Sequence, residues 1–301
     1  MAAFGSPKYF TDKSIPSNKP GVVLKVPNFD VLFDQLCNVS PLARQAMTED
    51  NPGGIKAIDS ATADDVYTWK VTDNNSKKLV SHIDKIDNFQ DKGVPLMRFR
   101  STLHGPLKKR GECFSEIISV PDLRQKWDTT NAIFDTIFSA ASLDEVRKHH
   151  GNKYGEPSVF GIGYVKTKPS FVVSPREQLT LFGLQNFPSG ASIIWGMELE
   201  EDQNYLFPED QPKRTPRSIS HLFSATLIPT GEDTFDVEYL IQLEVGGIPG
   251  WVSGPAVAKT MKGMFQFADG YFQSGLEDGG DLAKRLALFS DDEDADADEE
   301  R

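Results

Sequence analysis

In the stretch FVVSPREQLTLF, Phe171 to Phe182, Arg176 follows a proline that presets a turn. Its guanidinium either turns inward to hold a bound group or faces outward in a salt bridge that fixes the turn. Next to Pro175 the structural role is favoured. Tyr239, in TFDVEYLIQLEV, is a second polar side chain set among apolar neighbours. Familiar catalytic constellations are missing. There is no Gly-x-Ser-x-Gly elbow and no Ser-His-Asp order, and GIG at 161–163 lacks the third glycine and following helix of a dinucleotide site. His149 and His150 are chain neighbours, which point to different sides of a helix and share no metal. Cys37 and Cys113 sit in apolar, helical-looking stretches and read as buried reduced thiols rather than ligands. The expectation is no catalytic residue, no metal and no cofactor.

Charge narrows the partners. The chain has 301 residues, enough for one large domain or two small ones, and a net charge of −12. Much of that charge is the tail after Ser290, DDEDADADEER. Removing its eight acidic residues and one arginine from 44 acidic and 32 basic leaves 36 against 31. Basic stretches as short as LKKR (Leu107 to Arg110) do not make a phosphate-tracking surface, so no nucleic acid is expected. The N-terminus has no apolar h-region, and no run reaches the roughly 18 to 20 apolar residues of a membrane span. The chain reads as soluble and cytoplasmic.

These residues must be held by a sheet and a long helix. Residues 1 to about 27, rich in Pro, Ser, Lys and Gly, read as a loose arm. Asn28 then N-caps a short helix with Phe29, Leu32, Phe33 and Leu36 at helical spacing. Strands follow at Val66 to Val71, Leu79 to Ile86 and Val94 to Leu103. Two helices are expected, at 107–119 and in NAIFDTIFSAASLDEVRKHHG from Asn131. SVFGIGYVK (Ser158 to Lys166) is a strand whose Gly161 and Gly163 predict something bulky against the backbone. TFDVEYLIQLEV alternates: Phe235, Val237, Tyr239, Ile241, Leu243 and Val245 form one face. Thr234, Asp236, Glu238, Gln242 and Glu244 form a face expected to be wet, which only Leu240 breaks. Beyond Gly250 the period becomes helical, with Val257, Met261, Met264, Phe265, Ala268, Tyr271 and Phe272 in one stripe. Its methionines and glycines suit adaptable packing. Strands closed by one long helix make an α+β layer architecture.

Three segments carry a resemblance. VPDLRQKWD (Val120 to Asp128, with Asp122, Arg124, Trp127 and Asp128), VVSPRE (Val172 to Glu177) and IQLEVGGIPGWV (Ile241 to Val252) occur in this order. They resemble the Arg-x-x-Trp-Asp segment, the Val-Ser-Pro-Arg-Asp signature and the final strand, glycine turn and Ile-Pro start of the last helix in StAR-related lipid-transfer (START) domains. The resemblance covers roughly residues 60 to 273. It implies a helix-grip fold, in which a curved antiparallel sheet surrounds a hydrophobic tunnel closed by the long C-terminal helix.

The resemblance further implies non-enzymatic binding, and transfer between membranes, of one hydrophobic lipid: a phospholipid, sphingolipid, carotenoid or sterol, with transient membrane contact. The expected ligand-binding residues are Gly161, Gly163, Phe182, Tyr239, Ile241 and Leu243 from strands, and Val257, Met261, Met264, Phe265 and Ala268 from the helix. Tyr239 offers a polar handle. Phe171, Pro175 and Arg176 form the gate and its hinge. The acid and arginine that sterol-binding members pair inside the tunnel are replaced by Gly163 and Phe182, which counts against a cholesterol-like mode. Glu177 and Glu244 stand where aspartates are usual, and the stretch from Asp128 to Phe160 is longer than the family carries. The expected organisation is an N-terminal arm and short helix (1–57), a START-like domain (58–275) and a C-terminal extension with an acidic tail (276–301). Two other readings use the same cavity: a helix-grip enzyme of the cyclase or hydrolase type, and a lipid-gated scaffold.

Overall fold

The computed structural model describes residues 9–48, 53–56, 67–104, 124–126, 128, 130–150, 153–169, 174–208, 215–231, 234–275 and 280. The helix expected at 107–119, Cys113, Trp127, Phe171 and the acidic tail lie outside them. Nine antiparallel strands form the main sheet: β3 (Lys70–Asn74), β4 (Val80–Ile86), β5 (Leu96–His104), β6 (Asn131–Ser139), β7 (Glu156–Thr167), β8 (Glu177–Asn186), β9 (Ser192–Met197), β10 (Ser218–Pro229) and β11 (Thr234–Val245). Their spatial order is β3-β4-β5-β11-β10-β9-β8-β7-β6, so the last strand closes against β5. A final helix, α4 (Gly250–Gly275), crosses one face.

The other face is covered by the N-terminal segment. There the loose arm expected for residues 1–27 is, from Phe10, a hairpin of β1 (Phe10–Pro16) and β2 (Val23–Pro27). Phe10, Ile15, Leu24 and Val26 are buried, and that burial outweighs the loop-like composition. The hairpin also closes the edge of β6: Asn18 N donates to Ser139 O at 2.8 Å, and Ala141 N to Pro16 O at 3.0 Å. Next come α1 (Phe29–Val39), with Asn28 as its N-cap, and a short α2 (Pro41–Ala46) absent from the sequence reading. Ser40 joins them. Its N–H closes α1 on Leu36 O, its Oγ accepts from Ala43 N at 2.9 Å to start α2, and the same hydroxyl donates to Glu238 at 2.5 Å.

That last bond marks a correction. The middle of the polar face of β11 is not wet: Asp236, Glu238 and Gln242 are 4%, 0% and 0% exposed, while Thr234 and Glu244 at its ends are partly exposed. Asp236 accepts from Ile55 N at 2.7 Å and from the Thr102 hydroxyl at 2.6 Å. Glu238 pairs with Arg100 at 2.6 Å, and Gln242 donates to Phe89 O and Val94 O. Arg98 grips Asp84 through two bonds, 2.9 and 2.5 Å, donates to Val39 O at the end of α1, and stacks 3.8 Å from the Trp69 ring. Leu240, the apparent error in the pattern, is fully buried in the core beneath α1 and α2.

A second correction concerns Asn131 onward. The first part is strand β6, paired with β7, and only Leu143–His150 is helical (α3). The residues beyond Asp128 thus supply an edge strand and a short helix of the same sheet unit.

Glu238 sits between two arginines with no access to water, so removing it leaves uncompensated buried charge. Glu238→Ala is expected to lower stability by about 3 to 5 kcal/mol in urea unfolding. A loss below about 1 kcal/mol, the range of surface pairs, would contradict this reading of the outer layer.

Candidate functional site

Between α4 and the sheet lies a cavity of about 610 Å³. Its wall takes Thr136 from β6, Gly163 from β7, Thr180 from β8, Ile194 from β9, Ala225 from β10, Tyr239 from β11 and Leu103 from β5. Seven strands reach one space because the sheet curves around it. Period-two alternation sends Gln178, Thr180 and Phe182 of β8 to this face, and Val237, Tyr239, Ile241 and Leu243 of β11. α4 contributes Val257, Met261, Met264, Phe265 and Ala268, with Phe265 edge-on to the Tyr239 ring at 6.3 Å.

The two ends differ. Leu103, Leu227, Val237, Ala268 and Phe272 make one end wholly apolar. At the other end the lining includes exposed Lys168, Pro169, Val252 and Ala256, so among the described residues this is the mouth. α4 is tied to the sheet at its middle and toward its C-terminal end: Lys262 pairs with Asp73 at 2.8 Å, and Asp269 accepts from His104 N at 2.9 Å.

Of the residues expected to contact a ligand, all but Gly161 lie in this wall. Gly161 is buried beside β6 instead. A Cβ there would stand 2.4 Å from Phe138 O, at an irregularity in the β6–β7 register, so the bulky neighbour is backbone. Gly163 does face the cavity, and a Cβ on it would meet the Phe182 ring at 3.5 Å. Phe171 is outside the described residues, and Pro175 is half-buried in the turn without lining the cavity. Arg176 does line it. Nη1 donates to Ser174 O at 2.8 Å and Ser174 Oγ at 2.5 Å, while Nη2 reaches Gly246 O at 3.2 Å. Arg176 thereby joins the β8 turn to the β11–α4 turn, but from a buried position and through carbonyls and a hydroxyl rather than the outward salt bridge favoured from the sequence.

Arg124 and Asp128, outside the expected lining set, also line the cavity, and the Asp128 carboxylate accepts from Thr130 N at 3.1 Å. It also accepts from Arg124 Nε and Asn131 Nδ2, both at 2.9 Å, and from the Thr130 hydroxyl. Burial pushes the Asp128 pKa up, but the Arg124 charge and these bonds outweigh it and hold it below the ordinary value. Arg124 also lies against Met264 Sδ at 3.3 Å and over the Phe134 ring. Tyr239 has its phenol pushed up by burial, with Arg124 opposing and Asp128 adding. The signal available in sequence was the Arg-x-x-x-Asp spacing, one helical turn, which places the two side chains together.

No protein-family model and no curated relative matches the chain. Solved structures do. Human STARD10 aligns with TM-score 0.51 and 17% identity over 73% of this chain and 79% of that one. Human StAR-related lipid transfer protein 5 gives 0.51 and 16% over 81% and 100%. A STAR-related lipid transfer protein from Xanthomonas axonopodis gives 0.50 and 14% over 68% and 98%. At these identities the likeness concerns the fold, and the chain carries a START-like helix-grip domain.

Because folded Asp128 titrates below its unfolded value near 3.8, the unfolded chain binds that proton more readily. Its contribution to stability is complete above that value and is lost as pH falls through the folded pKa. Asp128→Asn is expected to be less stable at neutral pH, with a shallower loss of stability below pH 3.8. Parallel acid-unfolding curves for the two proteins would contradict the pairing.

Proposed function

We propose that the chain binds one hydrophobic lipid in the cavity beneath α4, carries it between membranes, and does no covalent chemistry on it. The observation that carries this reading is the cavity itself: about 610 Å³, walled mostly by aliphatic and aromatic side chains, with its exposed lining residues, Lys168, Pro169, Val252 and Ala256 among the described ones, at one end. That volume falls within the roughly 300 to 1,000 Å³ of small-ligand sites. At about 30 Å³ per water-sized group it has room for about twenty methylene-sized groups, one chain or one fused-ring skeleton. Each Å² of apolar ligand surface removed from water contributes about 25 cal/mol, which favours a long apolar body along the wall.

Polar groups in the wall suit positioning better than catalysis. The Asp128 carboxylate is committed to Arg124, Thr130 and Asn131, and the Tyr239 phenol is held above its usual value. Neither is poised to exchange a proton at neutral pH. Gly163 and Phe182 bring no charge to their own places in the wall, which disfavours a mode that needs a buried acid and arginine at those two positions.

Membrane contact is proposed at the mouth. Trp251 is 83% exposed and Val252 44%, both in the first turn of α4. An indole on a helix end beside the opening suits the interface between water and headgroups. No described helix is long and apolar enough to cross a membrane.

The cavity test is to fill it. Ala268→Phe, at the apolar end, is expected to abolish uptake of a fluorescent single-chain lipid while thermal unfolding stays cooperative. Unchanged uptake would place the lipid elsewhere. Trp251→Ala is expected to slow lipid transfer between vesicles severalfold while leaving equilibrium uptake intact. Equal transfer rates would remove the mouth as the docking surface.

A further inference from the structure

Among the described residues two arginines line the cavity, and one of them is paired with a carboxylate. Arg124 has Asp128. Arg176 is 8% exposed, and among the described residues no carboxylate pairs with it. Its partners are backbone carbonyls and one hydroxyl, which orient a guanidinium but leave its full charge standing. Nε is buried with no partner. The adjacent acid, Glu177, is engaged elsewhere, by the Tyr164 hydroxyl at 3.3 Å and Arg217 at 3.6 Å. An uncompensated buried cation is costly unless something in the working state completes it.

The mouth adds to the same field. α4 begins there with Val252 and Ser253 in the wall, no acidic residue in its first turn, and its positive dipole end at the opening. Lys168 stands on the rim. In a chain of net charge −12, this is a local concentration of positive potential at the polar end of an otherwise apolar cavity.

We infer that the cavity selects amphiphiles with an anionic head, carboxylate or phosphate, held at the mouth against Arg176 with the chain running toward Ala268 and Phe272. This rests on the carrier reading above and names its ligand class. A membrane headgroup is the less suitable anion, because a side chain 8% exposed does not reach out to a flat surface. An anion delivered inside the cavity meets it directly. Arg176 then has two roles that agree: its carbonyl partners fix the plane of the guanidinium, and the fixed plane is what a carboxylate or phosphate recognises.

The experiment measures binding of oleate, oleyl alcohol and oleylamine to the full chain at mildly alkaline pH, with acetate and inorganic phosphate as heads without a chain. Oleate is expected to bind about tenfold or more tightly than oleyl alcohol, and oleylamine least. Arg176→Gln should remove the preference, leaving oleate and the alcohol with equal affinities in the substituted chain. Should melting show that Arg176→Gln does not fold, Arg176→Lys keeps the charge without the fork and should retain only part of the preference. Oleate no tighter than oleyl alcohol, or a preference of the same size in the substituted chains, would overturn the inference and leave the carrier reading standing. Acetate or phosphate binding as tightly as oleate would overturn it in favour of a free-anion site. No chain-bearing probe binding at all would remove the carrier reading itself.

Discussion

Glu238 has no contact with water, and its charge is held by Arg100, Ser40 and, at 4.0 Å, Arg98. A buried carboxylate without such partners would cost several kcal/mol. Meeting that requirement ties the N-terminal helices to the outer face of β11. Ser40 is at once the end of α1, the start of α2 and a ligand of Glu238, so the outer layer is registered on the strand by one side chain. The same strand carries Val237, Tyr239, Ile241 and Leu243 on its inner face, as a wall of the cavity. A rigid outer layer lets the inner face stay only partly filled.

That partial filling is set by how α4 is held. Its polar ties, Lys262 to Asp73 at mid-helix and Asp269 to His104 nearer the C-terminus, lie away from its first turns at the mouth. The half at the mouth carries Gly254 and Pro255, the latter without an N–H for the helix ladder. Charge is sorted the same way along the cavity among the described residues: none at the apolar end, a neutralised pair at Arg124 and Asp128, and near the opening the Arg176 guanidinium, paired with no carboxylate.

Much of this was legible in the residues. The alternation of β11, the stripe of α4 and the cap at Asn28 depend on local periodicity, and each is where the pattern puts it. The environment of the polar face of β11 was not, because a carboxylate solvated by arginines is written with the same letter as one solvated by water. Leu240 was the available sign that this face is covered. Residues 131–139 read as helix because apolar side chains fall at both spacings there, and pairing with β7 decides for strand. The β1–β2 hairpin is held by contacts distant in sequence, with Ser139 and Ala141, which outweigh a loop-like composition. Gly161 and Gly163 are two residues apart on β7 and share a strand face by alternation; what separates them is the irregularity in β6, which brings the Phe138 carbonyl against Gly161 and leaves Gly163 facing the Phe182 ring.

The central claim is that one lipid occupies the space between α4 and the curved sheet. Native mass spectrometry of the full chain, purified and then exposed to a broad lipid panel, tests it most directly. The expected result is a single adduct, one lipid per chain, that exchanges with added lipid. No adduct across the panel, or several lipids bound at once on a chain with one such cavity among its described residues, would contradict it.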